Sequence, residues 1–282
     1  MTAARWPALT ALAWVAAQIA YPLTDGAARD RVTVLVVGLS AATALLHARA
    51  VRGLGYAAGF LLIVAGLGGL AEMIGTASGF PFGCYGYADG RLGPELAGVP
   101  LLIPLAWVGG LYPIRVAAGL LCRSSGAQIA LTAAGAVGWD LFLDPQMVDD
   151  GQWRWCSALP GLPGLSDIPY TNYLGWFAVA AVMTTLVIGL ERRCPERIFA
   201  PAVPIAVLLW TWFGSALAHA AFLGLPVSAL YGLIGLGVVA VPMLVVLVRA
   251  ARTAGGGTRP GAGPDRGNPG FPGRPPMRRT GP

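Results

Sequence analysis

The sequence predicts an all-α fold: a polytopic transmembrane helical bundle of about eight spans with both termini cytoplasmic. Three observations predict it. Only 11% of the 282 residues are charged and 56% are hydrophobic, whereas a soluble domain carries about 25% charged residues. The apolar residues gather into runs close to the ~20-residue length of a bilayer-spanning helix. All 19 basic residues are arginine, and they are distributed between the runs as the positive-inside rule requires.

The expected spans are Pro7–Leu23, Val32–Ala48, Gly55–Ile74, Val99–Val116, Ala127–Met147, Asn172–Leu190, Ala202–Leu223 and Ala229–Val248. The second and fourth are short or interrupted. Pro100, Pro104 and Pro113 are expected to kink the fourth, because proline removes a donor and crowds the preceding turn. With the N-terminus inside, Arg5, Arg49, Arg52, Arg115, Arg123, Arg192, Arg193, Arg197, Arg249 and Arg252 fall on the cytoplasmic side. Arg29, Arg31, Arg91 and Arg154 fall outside. The net charge of +6 is therefore a topology signal rather than a nucleic-acid patch.

The helical domain is expected over residues 1–252. Residues 253–282 are rich in Gly, Pro and Arg, cannot build a core, and read as a disordered cytoplasmic tail. Two external loops, Thr76–Gly98 and Val148–Thr171, combine Gly and Pro turns with aromatic residues, the composition of ordered loops. Interfacial anchoring of Trp153 and Trp155 is the simpler alternative. Cys84 and Cys156 share one side of the membrane, which permits a disulfide. None of the four cysteines forms a CxxC pair, and two histidines make no zinc signature.

Candidate chemistry lies in the polar residues of the spans. Asp140 and Asp144 are four residues apart, on one helical face, within the apolar stretch GWDLFLDPQMV. Charged groups at membrane depth either meet partners or do chemistry. Glu72 ends the third span and His219 ends the seventh, so all four residues fall in the external half of the membrane. If the third, fifth and seventh spans are neighbours, the four form one polar pocket capped by the aromatic loops. Structural alternatives stay open: Asp140 as a buried partner of Asn172 or a tryptophan, Asp144 as a local helix-end acceptor, His219 as a packed helix residue. Asp149 and Asp150 are expected to face solvent. Arg91 or Arg154 could hold a carboxylate ionised. Two coupled acids can be one protonated and one ionised, which equips them for general acid–base work. No dinucleotide fingerprint, P-loop, HExxH or nucleophile elbow is present, so no organic cofactor and no metal is expected.

Several pieces in order resemble a known family: Glu72 with GFPFGCYGY (Gly79–Tyr87), LGPELAGVPLLIPLAW (Leu92–Trp107), WDLFLDPQMV (Trp139–Val148), GQWRW (Gly151–Trp155) and IPYTNYLGW (Ile168–Trp176). Over residues 55–248 the chain resembles the membrane-integral carotenoid biosynthesis family that includes bacterioruberin-pathway hydratases and carotenoid 1,2-hydratases. The resemblance implies addition of water to the C1–C2 double bond of an acyclic psi end group, on substrates like bisanhydrobacterioruberin or gamma-carotene. The expected partners are then a carotenoid held within the bilayer, membrane lipids and other carotenoid biosynthesis enzymes, in the cell membrane. Asp144 is the expected proton donor, with Asp140 or Glu72 orienting water. Tyr85, Trp139, Trp153 and Trp155 are the expected end-group pocket, with Asn172, His219, Arg91 and Arg154 beside it. A transporter or proton relay using the same acids is the alternative. A prenyl transferase is a third reading, weakened by the lack of a full aspartate-rich magnesium motif.

Overall fold

The structure is a computed structural model and describes residues 5–255. It contains eight α-helices in that range: α1 Arg5–Ala20, α2 Gly26–Arg52, α3 Leu54–Ser78, α4 Leu102–Leu121, α5 Ser125–Asp149, α6 Tyr170–Arg193, α7 Ala202–Ala221 and α8 Pro226–Gly255. All but α1 are long and apolar enough to cross a membrane. The 16 residues of α1 rise about 24 Å. The 3-10 turn Tyr21–Leu23 continues it by about 6 Å, which together match the ~30 Å hydrocarbon core. The expected 253–282 tail lies, from residue 256 onward, outside the described residues. Of the described residues, 5–246 belong to one compact unit.

Helix ends follow local chemistry. Ser124 caps α5, its hydroxyl accepting from the Ala127 N–H. Gly79 ends α3 in the left-handed conformation with φ 76°, a cap that glycine adopts without strain. The fourth span begins later than expected. Val99–Pro100 pair as a strand, Pro104 falls in the first turn of α4 where no carbonyl awaits its missing N–H, and only Pro113 lies inside the helix.

The two expected ordered loops form a shared device. Strand β1 (Tyr85–Tyr87) pairs antiparallel with β4 (Trp153–Trp155), Tyr85 opposite Trp155 and Tyr87 opposite Trp153. Between them in sequence, β2 (Glu95–Leu96) and β3 (Val99–Pro100) make a short hairpin. After β4, β5 (Gly161–Leu162) pairs with β6 (Leu165–Pro169). A Cys84–Cys156 disulfide closes one end of the β1–β4 ribbon, where the Cys156 N–H also bonds the Cys84 carbonyl.

Helix packing departs from one expectation. The third, fifth and seventh helices are not a contiguous trio. α3 packs on α2, α4 and α6, whereas α5 packs on α4, α6 and α7. The polar ends of α3 and α5 are joined instead by the ribbon above them. Arginines gather at both ends of the bundle. Arg52, Arg115 and Arg197 meet at one end, where the Arg197 N–H bonds the Val51 carbonyl and Arg115 pairs with Glu191. Arg29 and Arg91 meet Asp150 at the other. Asp149 is exposed as expected, but Asp150 is not a free surface acid, because Arg29, Arg91 and Gln152 surround it.

Candidate active site

Strand alternation builds the site. Residues i and i+2 of a strand share a face, so Tyr85 and Tyr87 point down into the bundle with Trp153 and Trp155, while Gly86 and Arg154 are exposed. The downward side chains reach the acids. Tyr85 and Tyr87 donate their hydroxyls to Glu72 Oε2 at 2.5 and 2.8 Å, and the Trp107 indole N–H donates to Oε1 at 3.3 Å. From the other strand, the Trp153 indole N–H donates to Asp144 Oδ1 at 3.1 Å. The Tyr87 and Trp153 rings meet edge to face at 5.6 Å, so the two held carboxyls are linked through one aromatic pair.

Glycines make room for these donors. Gly68 and Gly75 lie four residues before and three after Glu72, on its own face. A Cβ on Gly75 would come within 2.6 Å of the Tyr85 hydroxyl, and one on Gly68 within 2.9 Å of the Trp107 ring. Gly110 likewise leaves the slot that the Trp139 ring fills. Burial pushes the Tyr85 and Tyr87 phenols up, and the neighbouring Glu72 charge adds to it. Both therefore remain protonated donors at neutral pH.

Asp140 and Asp144 share one amide. Asn172 of α6 donates one N–H to Asp140 Oδ2 at 2.8 Å and another to Asp144 Oδ2. Asp140 Oδ1 is buried without a protein partner. Of the alternatives for Asp140, the Asn172 partnership is therefore formed, and it ties Asp140 to Asp144 rather than isolating it.

These groups frame a cavity of about 380 Å³. Glu72, Asp144, Asn172, Tyr85, Trp139, Trp153 and Trp155 line it, as do Tyr87, Trp107 and Trp176. Trp107 and Trp176 are stacked at 3.9 Å, and Trp139 stands edge-on to Trp176. Apolar walls with a few placed polar groups are the usual make-up of a small-molecule site.

Four expected site residues fall elsewhere. Asp140 stands behind the cavity wall. His219 is fully buried, its two nitrogens meeting Ser228 Oγ at 2.9 Å and Gln146 Oε1 at 3.0 Å, and of these three only Gln146 reaches the cavity. Arg91 makes a two-point contact with Asp30 and bonds the Asp150 carbonyl, and Arg154 is exposed, so neither tunes a cavity carboxylate. Three contributors escaped the sequence reading: Tyr87, Trp107 and Trp176. The signal for Tyr87 was present in the period-2 spacing of YGY opposite WRW.

The sequence model of a family described as carotenoid biosynthesis proteins matches residues 31–241, about three quarters of the chain. The chain belongs to the carotenoid biosynthesis protein family. The match starts within α2, earlier than the expected boundary at residue 55, and so includes a helix that the motif resemblance had left out. No curated protein matches, and no solved structure matches. As a carotenoid biosynthesis protein with seven helices fit to span a bilayer, the chain is a multi-pass membrane protein.

Proposed function

We propose that the protein is a carotenoid hydratase that adds water across the C1–C2 double bond of an acyclic psi end group. The observation that carries this reading is a pair of differently held acids, Glu72 and Asp144, in the wall of one apolar cavity. Asp144 gives its proton to C2. The π electrons of C1–C2 form the new C–H bond and leave a tertiary cation at C1. A water oriented by Glu72 adds its oxygen to C1 and passes a proton to the Glu72 carboxylate. Return of that proton to the Asp140–Asp144 pair restores the starting state, with one water consumed and no change of oxidation state.

The supports are electrostatic. Glu72 is met only by donors, the arrangement suited to an ionised carboxylate. No arginine among the described residues lies within ion-pair distance of Asp140 or Asp144, so a proton rather than a guanidinium balances the pair. Trp139, Trp107 and Trp176 line the cavity, and indole rings favour a nearby cation. Asp140, tied through Asn172, is a positioning residue. We assign this end of the bundle to the external side of the cell membrane. A disulfide beside the site suits an oxidising compartment, and the arginine-rich opposite end suits the cytoplasm.

The test is expression in a host that accumulates lycopene, with mass analysis of the pigments. Wild type is expected to add one or two waters. Asp144→Asn and Glu72→Gln, expressed at equal levels, are expected to leave lycopene unchanged. Full conversion by both variants, or unaltered lycopene with wild type, overturns the reading.

A further inference from the structure

The cavity that holds Glu72 and Asp144 does not end at the aromatic wall. Gln18 and Ile19 of α1 and Trp210, Thr211, Leu217 and Ala218 of α7 line the same space. Ile19 and Leu217 are also 52% and 62% exposed. A side chain that both lines a cavity and stands exposed on a membrane-fit helix bundle marks where that cavity meets lipid. The mouth is therefore lateral, along the seam between α1 and α7.

That seam is thin. α1 packs mainly on α2 and only lightly on α7. One polar bond crosses it: the Trp210 indole N–H donates to Gln18 Oε1 at 2.7 Å. Both residues line the cavity, so the bond sits at the passage itself. The remaining seam residues are apolar or small, including Gly214 and Ser215. A water-soluble substrate has no use for such an opening. A rigid apolar rod does, because it can keep most of its length in lipid while one tip enters. The cavity volume of about 380 Å³ lies at the small end of the ~300–1,000 Å³ range of ligand sites, room for an end group rather than a whole pigment.

We infer that the α1–α7 seam is a lateral portal through which one end of a polyene reaches the acids while the far end stays in the bilayer, with Gln18 and Trp210 positioning the rod in the passage. The portal rests on the cavity and on the carotenoid family assignment; what happens to the inserted end rests on the hydratase reading. Two consequences follow. The site is indifferent to the group at the far end of the pigment. A pigment with two psi ends must leave and dock again before the second end reacts, so the singly hydrated product is released into the membrane.

Two measurements on the full-length protein in lipid nanodiscs test this. In the first, benzoylphenylalanine replaces Leu217 on α7 or, as control, the exposed Leu186 on α6, and lycopene is photo-captured. Capture at Leu217 at least fivefold above Leu186 is expected; equal capture, or none at Leu217, overturns the portal whether or not hydration occurs. In the second, hydration of lycopene is compared with that of geranylacetone, a short isoprenoid with the same terminal double bond. Ala218→Trp, which fills the mouth, is expected to lower the lycopene-to-geranylacetone ratio of kcat/KM at least tenfold. Gln18→Leu, which removes the bond without adding bulk, keeps the test open if that variant does not fold; it is expected to shift KM for lycopene at least threefold with kcat within twofold. An unchanged ratio and KM overturn the portal, as does doubly hydrated lycopene appearing with no free singly hydrated intermediate. If capture at Leu217 holds while wild type hydrates neither compound, the portal stands and the hydratase reading falls.

Discussion

Two glutamates at opposite ends of the bundle, Glu72 buried and Glu191 half-buried, make an instructive pair. Glu191 on α6 accepts from the Tyr56 hydroxyl at 3.2 Å and from the Arg115 guanidinium, which also holds Gln128 at 3.0 Å. Glu72 on α3 accepts from two tyrosines and a tryptophan and meets no cation. Each is satisfied, so neither placement is wasteful. The difference is what satisfies it. A guanidinium ties a carboxylate to a neighbouring helix through an ion pair. Neutral donors hold a carboxyl in place while leaving it able to exchange a proton. The first arrangement is a joint between helices, and the second is the one that the proposed hydration uses.

This contrast predicts separable phenotypes. The largest effect falls on the neutral-donor end. Asp144→Asn and Glu72→Gln should each lower hydration of lycopene by about 10²–10⁴, the range for loss of a general acid or base, with little change in melting. Quantified pigment conversion beside a melting curve in detergent reads both. At the opposite end, Arg115→Met should cost about 1–3 kcal/mol of stability, because the half-buried Glu191 is left without its partner, while turnover per folded molecule stays near wild type. Restoration of most of that loss by the double variant Arg115→Met, Glu191→Leu would confirm that the pair, not either side chain, sets the cost. If instead Arg115→Met lowers turnover in the folded fraction, the comparison breaks.

Smaller effects sharpen it. Gly75→Ala brings a methyl to 2.6 Å from the Tyr85 hydroxyl, so the phenol must leave Glu72. About a tenfold fall in turnover is expected, through loss of one charge-assisted bond of ~1.5–3 kcal/mol that is partly covered by Tyr87. Wild-type turnover in this variant would mean that Tyr85 does not hold Glu72 in the working state. The smallest effect is at high pH. The buried Tyr85 and Tyr87 phenols are raised above the ordinary value of about 10. Their contribution to stability is complete below that pH and declines as pH rises above it, since only the unfolded phenols ionise there. Melting temperatures from pH 8 to 11 should fall less steeply in Tyr85→Phe than in wild type.

The residues differ in how far their roles could be seen in the chain alone. Seven of the eight helices and the isolation of Glu72, Asp140 and Asp144 in apolar surroundings follow from local composition, which the bilayer reads residue by residue. Trp107 was invisible as a site residue. It lies 35 residues from Glu72, and nothing local distinguishes it from a core tryptophan. Arg91 and Arg154, which do not line the cavity, are the opposite case. Their charges were evident, but the direction of a loop side chain depends on which strand it pairs with, and pairing between Tyr85 and Trp155 joins segments 70 residues apart. The glycines around Glu72, at 68 and 75, were legible in spacing but meaningless without knowing what fills the gaps.

By itself, then, the sequence determined that this is a multi-pass helical membrane protein with a few acids isolated in its apolar spans, because burial of charge in such a span is a local cost that the pattern displays directly. The tertiary structure alone decided which acids face the cavity. The ribbon that Cys84–Cys156 closes brings Tyr85 and Tyr87 to Glu72 and Trp153 to Asp144, while Asn172 ties Asp140 behind the wall. Those contacts depend on direction and distance between segments remote in the chain, and only packing sets these.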